Sequence, residues 1–182
     1  MKSKLSRLCL AAVLTALAIV LVMNIRIVLV PVVQFLEYDP ADIPIFIATI
    51  ILGPAYGVGM TVAVSIIQGL TVSASSEWIG IIMHILATGS AALTLGLITK
   101  RVKSNRRVIT GLLVGSLFMI VSMFLWNLLF TPVFMNVNIK VVMGLMPFIM
   151  LFNFLKALVN TVISFLLYKA TQTAFKKIYK TC

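Results

Sequence analysis

Four stretches of this chain, Leu8–Met23, Ile79–Ile98, Val108–Phe130 and Pro147–Tyr168, are apolar and close to bilayer-spanning length. A crossing helix needs roughly 20 mostly apolar residues. Their combined demand for burial decides the class. Of 182 residues, 62% are hydrophobic and only 10% charged, with a mean hydropathy of +1.16. A soluble domain carries about 25% charged residues and about 45–50% apolar ones, and one of this size leaves much of its surface in water. Disordered protein, disulfide scaffold and ordinary cytosolic enzyme are excluded. The chain reads as an all-α integral membrane protein.

The region from Ile43 to Val72 is one apolar stretch of 30 residues broken by Gly53-Pro54-Ala55-Tyr56-Gly57. Proline removes a backbone donor and glycine beside it favours a turn. Whether this is one span or two follows from charge. Basic residues cluster at Lys2, Lys4 and Arg7, at Lys100, Arg101, Lys103, Arg106 and Arg107, and at Lys169, Lys176, Lys177 and Lys180. Basic loops stay on the cytoplasmic side. A turn at Gly53-Pro54 puts all three clusters on one face; a single long span cannot. Six spans are therefore expected, near 8–23, 42–53, 55–72, 79–98, 108–130 and 147–168, in one compact domain over 1–182 with both termini cytoplasmic. The second is short, which predicts shelter by neighbouring helices. Twelve of the 15 basic residues then lie on the cytoplasmic side, so the net charge of +11 is a topology signal rather than a nucleic-acid footprint. The opposite face is expected to carry Arg26, Glu37, Asp39, Asp42, Glu77 and Lys140. The N-terminus shares a basic start and apolar run with signal peptides. It lacks a small-residue pair to close that run, so the segment is read as a retained first span.

Polar residues inside the spans are few. Asn153, Lys156 and Asn160 share one face of the last span, and Asn127 sits beside Trp126 in the fifth. A central lysine costs ~2.5–3.5 kcal/mol on insertion scales, so Lys156 should face a protein interior or a wet cavity. For Asn160, helix–helix hydrogen bonding suffices. Asn127, Asn153 and Lys156 together predict a polar pocket, suited to a neutral ligand with an imide-like edge and hydroxyls. In Phe35-Leu-Glu-Tyr-Asp-Pro-Ala-Asp-Ile-Pro44, Asp42 is expected to cap the second span, and an acidic rim would discourage a strongly anionic ligand. Small residues four apart allow close helix approach. For Gly111 and Gly115 that predicts internal packing; for Ala12 and Ala16 packing and partner docking are both open. No catalytic residues are expected: no Ser/His/Asp set, HExxH or P-loop is recognisable. Cys9 and Cys182 form no disulfide or metal pattern, and the single His84 cannot build a zinc site alone, so no metal is expected.

FLEYDPADIP (35–44), GPAYG (53–57), EWIGIIMHILATGS (77–90), NFLK (153–156) and Asn127 together resemble the substrate-binding S components of energy-coupling factor vitamin transporters, most nearly the riboflavin-specific group. His84 stands where that group would carry an amide-bearing residue such as Asn. The resemblance implies a multi-pass protein of the bacterial cytoplasmic membrane that binds riboflavin, has no cofactor of its own and hydrolyses nothing. Asn127, Asn153 and Lys156 would bond the flavin's imide edge and ribityl hydroxyls, and Leu36 would add a backbone contact. Ala12 and Ala16 would dock on a membrane coupling subunit, with two ATPase subunits using ATP to drive release.

Three other readings are distinguishable. A different vitamin or precursor would leave the purified protein colourless. A membrane enzyme would use Glu37, Asp39 and Asp42 with a bound ion. A purely structural subunit leaves Lys156 without a purpose.

Overall fold

The computed structural model describes residues 3–72, 77–100 and 104–181. Lys2, Arg101, Lys103 and Cys182 lie outside the described residues, as do the side chains of Glu77, Lys176, Lys177 and Lys180. Among the described residues there are six α-helices: α1 (Lys4–Asn24), α2 (Asp42–Leu52), α3 (Pro54–Leu70), α4 (Glu77–Thr99), α5 (Asn105–Met135) and α6 (Ile139–Thr181). Ser3 opens α1 by accepting from the Ser6 N–H at 3.1 Å, and Ser104 does the same for α5 from Arg107 at 3.3 Å. Each supplies an acceptor to the exposed donors of a first turn.

The break at Gly53-Pro54 is a turn, as the charge argument requires. Gly53 has φ 107° and ψ 175°, a conformation essentially confined to glycine, and Pro54 begins α3, where its missing donor costs nothing. With 11 residues, α2 rises only about 16 Å. It packs against α1, α3, α4 and α6, and Asp42–Phe46 and Ala48–Ile50 are all buried. A helix too short to span alone is thereby enclosed by longer ones.

Two helices run further than the hydropathy suggests. The last begins at Ile139, and Pro147, read as the start of the span, lies inside it. The fifth continues past Phe130 through Pro132 to Met135. Proline in a membrane helix is tolerated when neighbours or local adjustment re-satisfy the freed carbonyl. Asn136 then stops α5 in the left-handed conformation at φ 51°, with Val137 N–H returning to the Pro132 carbonyl at 3.1 Å.

Glycine sets the α4–α5 contact. A Cβ on Gly115 would lie 2.8 Å from the Ala91 carbonyl oxygen, and one on Gly111 2.9 Å from the Leu95 side chain. These residues serve internal packing, as expected. Ala12 and Ala16 do not: both are exposed, while Ala11, Ala18 and Val22 turn inward. Large apolar side chains such as Leu113, Leu117, Val121, Leu125 and Leu129 on α5, and Leu151, Leu158 and Leu166 on α6, also face outward. Such a surface belongs in lipid. The chain is a multi-pass membrane protein, with α1, α4, α5 and α6 each long and apolar enough to cross.

Between α1 and α2, residues 25–41 fold into a closed lobe. Ile27 and Tyr38 exchange two backbone hydrogen bonds, at 2.9 and 2.8 Å, around a short 3₁₀ turn at Pro31–Val33. Val30, Val33 and Tyr38 pack on Val142, Met146, Ile149 and Phe152 of α6. This lobe covers the end of the bundle that holds the site.

Candidate functional site

The last turns of α3, the first half of α4, α5 from its middle onward, the middle of α6 and the 25–41 lobe line a cavity of about 170 Å³. That exceeds the ~150 Å³ space that accepts a benzene ring. Its wall combines Met83, Met119, Met123, Phe134 and Phe152 with a few polar groups, the usual make-up of a small-molecule site. Leu36, Asn127, Asn153 and Lys156 all line it. The four residues singled out as ligand-binding are therefore brought together from a loop and two helices.

The polar groups are partly committed. Asn127 donates to the Met123 carbonyl at 2.7 Å and accepts from Thr131 Oγ1 at 2.8 Å. Asn153 donates to the Ile149 carbonyl at 2.8 Å, and its Oδ1 accepts from no donor among the described residues. Each amide nitrogen has a second hydrogen. Lys156 Nζ lies 3.3 Å from Asp39 Oδ2 and 3.4 Å from Asp42 Oδ2, leaving one of its three N–H groups over. The wall can thus offer three donors and an acceptor.

The carboxylates are not where the sequence places them. Asp39 and Asp42 were expected on an exposed acidic rim; they are 3% and 0% exposed. Nor does Asp42 cap α2. The capping position is Ala41, which makes no side-chain bond. Asp42 Oδ1 instead accepts from Thr88 Oγ1 at 2.7 Å and faces His84 Nε2 at 3.2 Å. Its Oδ2 accepts from Asn160 Nδ2 at 2.9 Å and meets Lys156. The physical reason is Lys156 itself: a buried ammonium needs counter-charge, and the start of α2 is the element that can supply it. The Asn160–Asp42 bond is the helix–helix hydrogen bond expected of Asn160, which also accepts from the Tyr38 hydroxyl of the lobe at 3.1 Å. Burial, partly offset by the Lys156 charge, raises the Tyr38 phenol above its ordinary value and keeps it a donor. At the mouth, Arg26 pairs with Glu37 and donates to the Val72 carbonyl at 2.7 Å, tying the lobe to the end of α3.

A serine, a histidine and an aspartate do meet: Ser65 Oγ lies 2.9 Å from His84 Nδ1, and His84 Nε2 faces Asp42. Three helices bring them together, so no sequence motif announces them. The alignment is not a nucleophile's. Ser65 sits mid-helix and gives its hydrogen to the Thr61 carbonyl at 2.7 Å. Asp42 is meanwhile saturated by four partners, and surrounding helical N–H groups are used within their helices rather than forming an oxyanion hole. The same saturation removes the oxygens that an ion held by Asp39 and Asp42 would need. Gln68 and Ser65 were missed as wall residues, and His84 was noted only as a departure from the family's amide-bearing residue; for the first two, the hydrophilic gaps they leave in α3 are the signal that could have pointed to them.

A lipid-embedded helical bundle with a lobe closed over a mixed apolar and amide-lined cavity defines a class, the membrane-embedded small-molecule binding subunit. The family described as "ECF transporter, substrate-specific component" matches residues 6–168, and the chain belongs to it. It is 27% identical over 184 residues to the riboflavin transporter RibU of Staphylococcus aureus (strain TCH60), covering 94% of this chain and 93% of that protein. A solved structure described as "Structure and mechanism of the S component of a bacterial ECF transporter" superposes with a TM-score of 0.80 at 27% identity, over 96% of this chain and 99% of that one. These relatives are transporter components, not enzymes.

Proposed function

We propose that this chain captures riboflavin as the S component of an ECF importer and delivers it inward with a separate energy-coupling module. The observation that carries the reading is the convergence of Leu36, Asn127, Asn153 and Lys156 on one cavity. A flavin imide presents acceptor, donor, acceptor along one edge. Asn153, with a free carbonyl and a spare N–H, complements two of these, and the spare hydrogens of Asn127 and Lys156 serve the remaining carbonyl and the ribityl hydroxyls. Methionine and phenylalanine side chains supply polarizable walls for the ring. Leu36 offers backbone groups from the covering lobe. The similarity to a riboflavin transporter supports the same substrate.

Delivery is assigned to a membrane coupling subunit and two ATPase subunits, with Ala12 and Ala16 on the exposed face of α1 as the docking surface. ATP is used by those partners. Both termini lie in the cytoplasm.

Titration of the purified protein with riboflavin should give tight 1:1 binding, and protein purified from flavin-containing cells should be yellow. Asn153→Ala and Lys156→Ala should each weaken binding at least about tenfold, the loss of one well-made hydrogen bond to a charged or buried group. A wild-type protein that binds no flavin overturns the reading.

A further inference from the structure

We infer that His84 is a positioning residue for Lys156: it carries hydrogen on both ring nitrogens, and as an imidazolium it shares the charge of Asp42, which sets where the lysine ammonium sits. The charge state follows from counting hydrogens and stands apart from the riboflavin reading; the effect on binding rests on that reading.

Ser65 has one hydroxyl hydrogen. Its Oγ lies 2.7 Å from the Thr61 carbonyl oxygen and 2.9 Å from His84 Nδ1. Two oxygens that close need a hydrogen between them, and a carbonyl has none to give, so the serine hydrogen lies there. Ser65 can then only accept from His84, whose Nδ1 must be an N–H. On the other side of the ring, Nε2 lies 3.2 Å from Asp42 Oδ1. That oxygen already accepts from Thr88 at 2.7 Å, and the second carboxylate oxygen accepts from Asn160 at 2.9 Å and faces Lys156 at 3.4 Å. Three surrounding donors, one of them charged, favour an ionised carboxylate, which has no hydrogen to give. Nε2 is therefore an N–H as well. A neutral imidazole has a single N–H, and two make it a cation.

Charge supports the count. The titratable groups gathered here are Asp39 and Tyr38 from the lobe, Asp42 from α2 and Lys156 from α6, while Arg26 and Glu37 pair with each other at the mouth. Tyr38 is a hydroxyl donor to Asn160 and carries no charge. With a neutral imidazole, one buried ammonium would face two carboxylates, and a negative charge would be left uncompensated, a costly state. With an imidazolium, two cations meet two anions. Asp42 is then divided between His84 on one oxygen and Lys156 on the other. The ammonium is not drawn wholly into the carboxylates, and it keeps an N–H for the cavity.

The chain has a single histidine, so isotope-labelled histidine gives one imidazole signal in protein purified without a polyhistidine tag. At neutral pH and without ligand, nuclear magnetic resonance should show hydrogen on both ring nitrogens; hydrogen on one alone overturns the inference. This reading uses the wild-type protein, so it stands even where a variant fails to fold. His84→Asn offers Asp42 a donor without the charge. It should weaken riboflavin binding at least about fivefold in the wild-type background but less than about twofold beside Lys156→Met, because residues that act through one another are not additive. Equal losses in the two backgrounds, or no loss in either, overturn the positioning role. Failure of riboflavin itself to bind overturns the substrate assignment and leaves the two-hydrogen assignment intact, since that is read without ligand.

Discussion

Asp42 occupies a position where a carboxylate survives only by being fully paired. It is wholly buried, and each of its oxygens has two polar neighbours drawn from α4 and α6. Removing it would leave Lys156 with Asp39 alone and strand donors from Thr88 and Asn160. Breaking one side of a buried pair costs about 3–5 kcal/mol, so Asp42→Ala should lower the unfolding midpoint in detergent by an amount on that scale, with or without ligand. A change below about 1 kcal/mol would mean that the cluster does not hold the bundle together. The identity of these residues was legible in the sequence, and so was the demand that Lys156 be sheltered. Their partnership was not. Asp39 and Asp42 sit next to prolines and a loop, which locally read as surface, while the groups that bury them lie 117 and 118 positions away. Local context reports the neighbours in the chain, and a buried charge is decided by neighbours in space.

Elements were more legible than contacts, because period and composition act over a whole helix. The turn at Gly53 could be placed from charge topology alone, and its backbone explains why glycine is needed there. A side chain at φ 107° is strained although nothing lies within 4 Å of the added Cβ. Gly53→Ala should therefore cost about 1–3 kcal/mol through the backbone, measured as a lower thermal midpoint. Gly115→Val has the opposite cause. Its backbone is helical, and its Cβ would press on the Ala91 carbonyl. It should cost about 1–3 kcal/mol by overpacking, and a compensating change in side-chain size at α4 would not relieve it, since the clash is with main chain. A full rescue by such a change would refute this assignment. Helix ends were the weak point. Pro132 and Pro147 read as boundaries in a water-soluble chain, yet both lie inside helices, because lipid offers the backbone no alternative partner and favours continuing the helix.

For the molecule as a whole, one surface has a chemistry that lipid does not require. Most of the outward faces carry large side chains, such as Leu8, Val13, Leu17 and Val20 on α1 itself. Ala12 and Ala16 interrupt that row with a smooth strip, one turn apart. The inward alanines of the same helix, Ala11 and Ala18, already satisfy packing within the bundle, so the outward pair contributes nothing to this chain's own fold. A small-residue strip allows a second helix to approach closely, which suits a coupling subunit that must engage and disengage. Because neither Ala12 nor Ala16 lines the cavity, binding and transport should separate. Ala12→Leu/Ala16→Leu should leave riboflavin affinity of the purified protein within about twofold and its thermal midpoint nearly unchanged, since exposed substitutions rarely exceed ±0.5 kcal/mol. Uptake of labelled riboflavin by cells carrying the full transporter should fall at least about tenfold, because side chains that hold two helices apart forfeit their contact. Uptake that persists at the wild-type level would assign coupling to another face, and a parallel loss of binding would show that α1 supports the cavity after all.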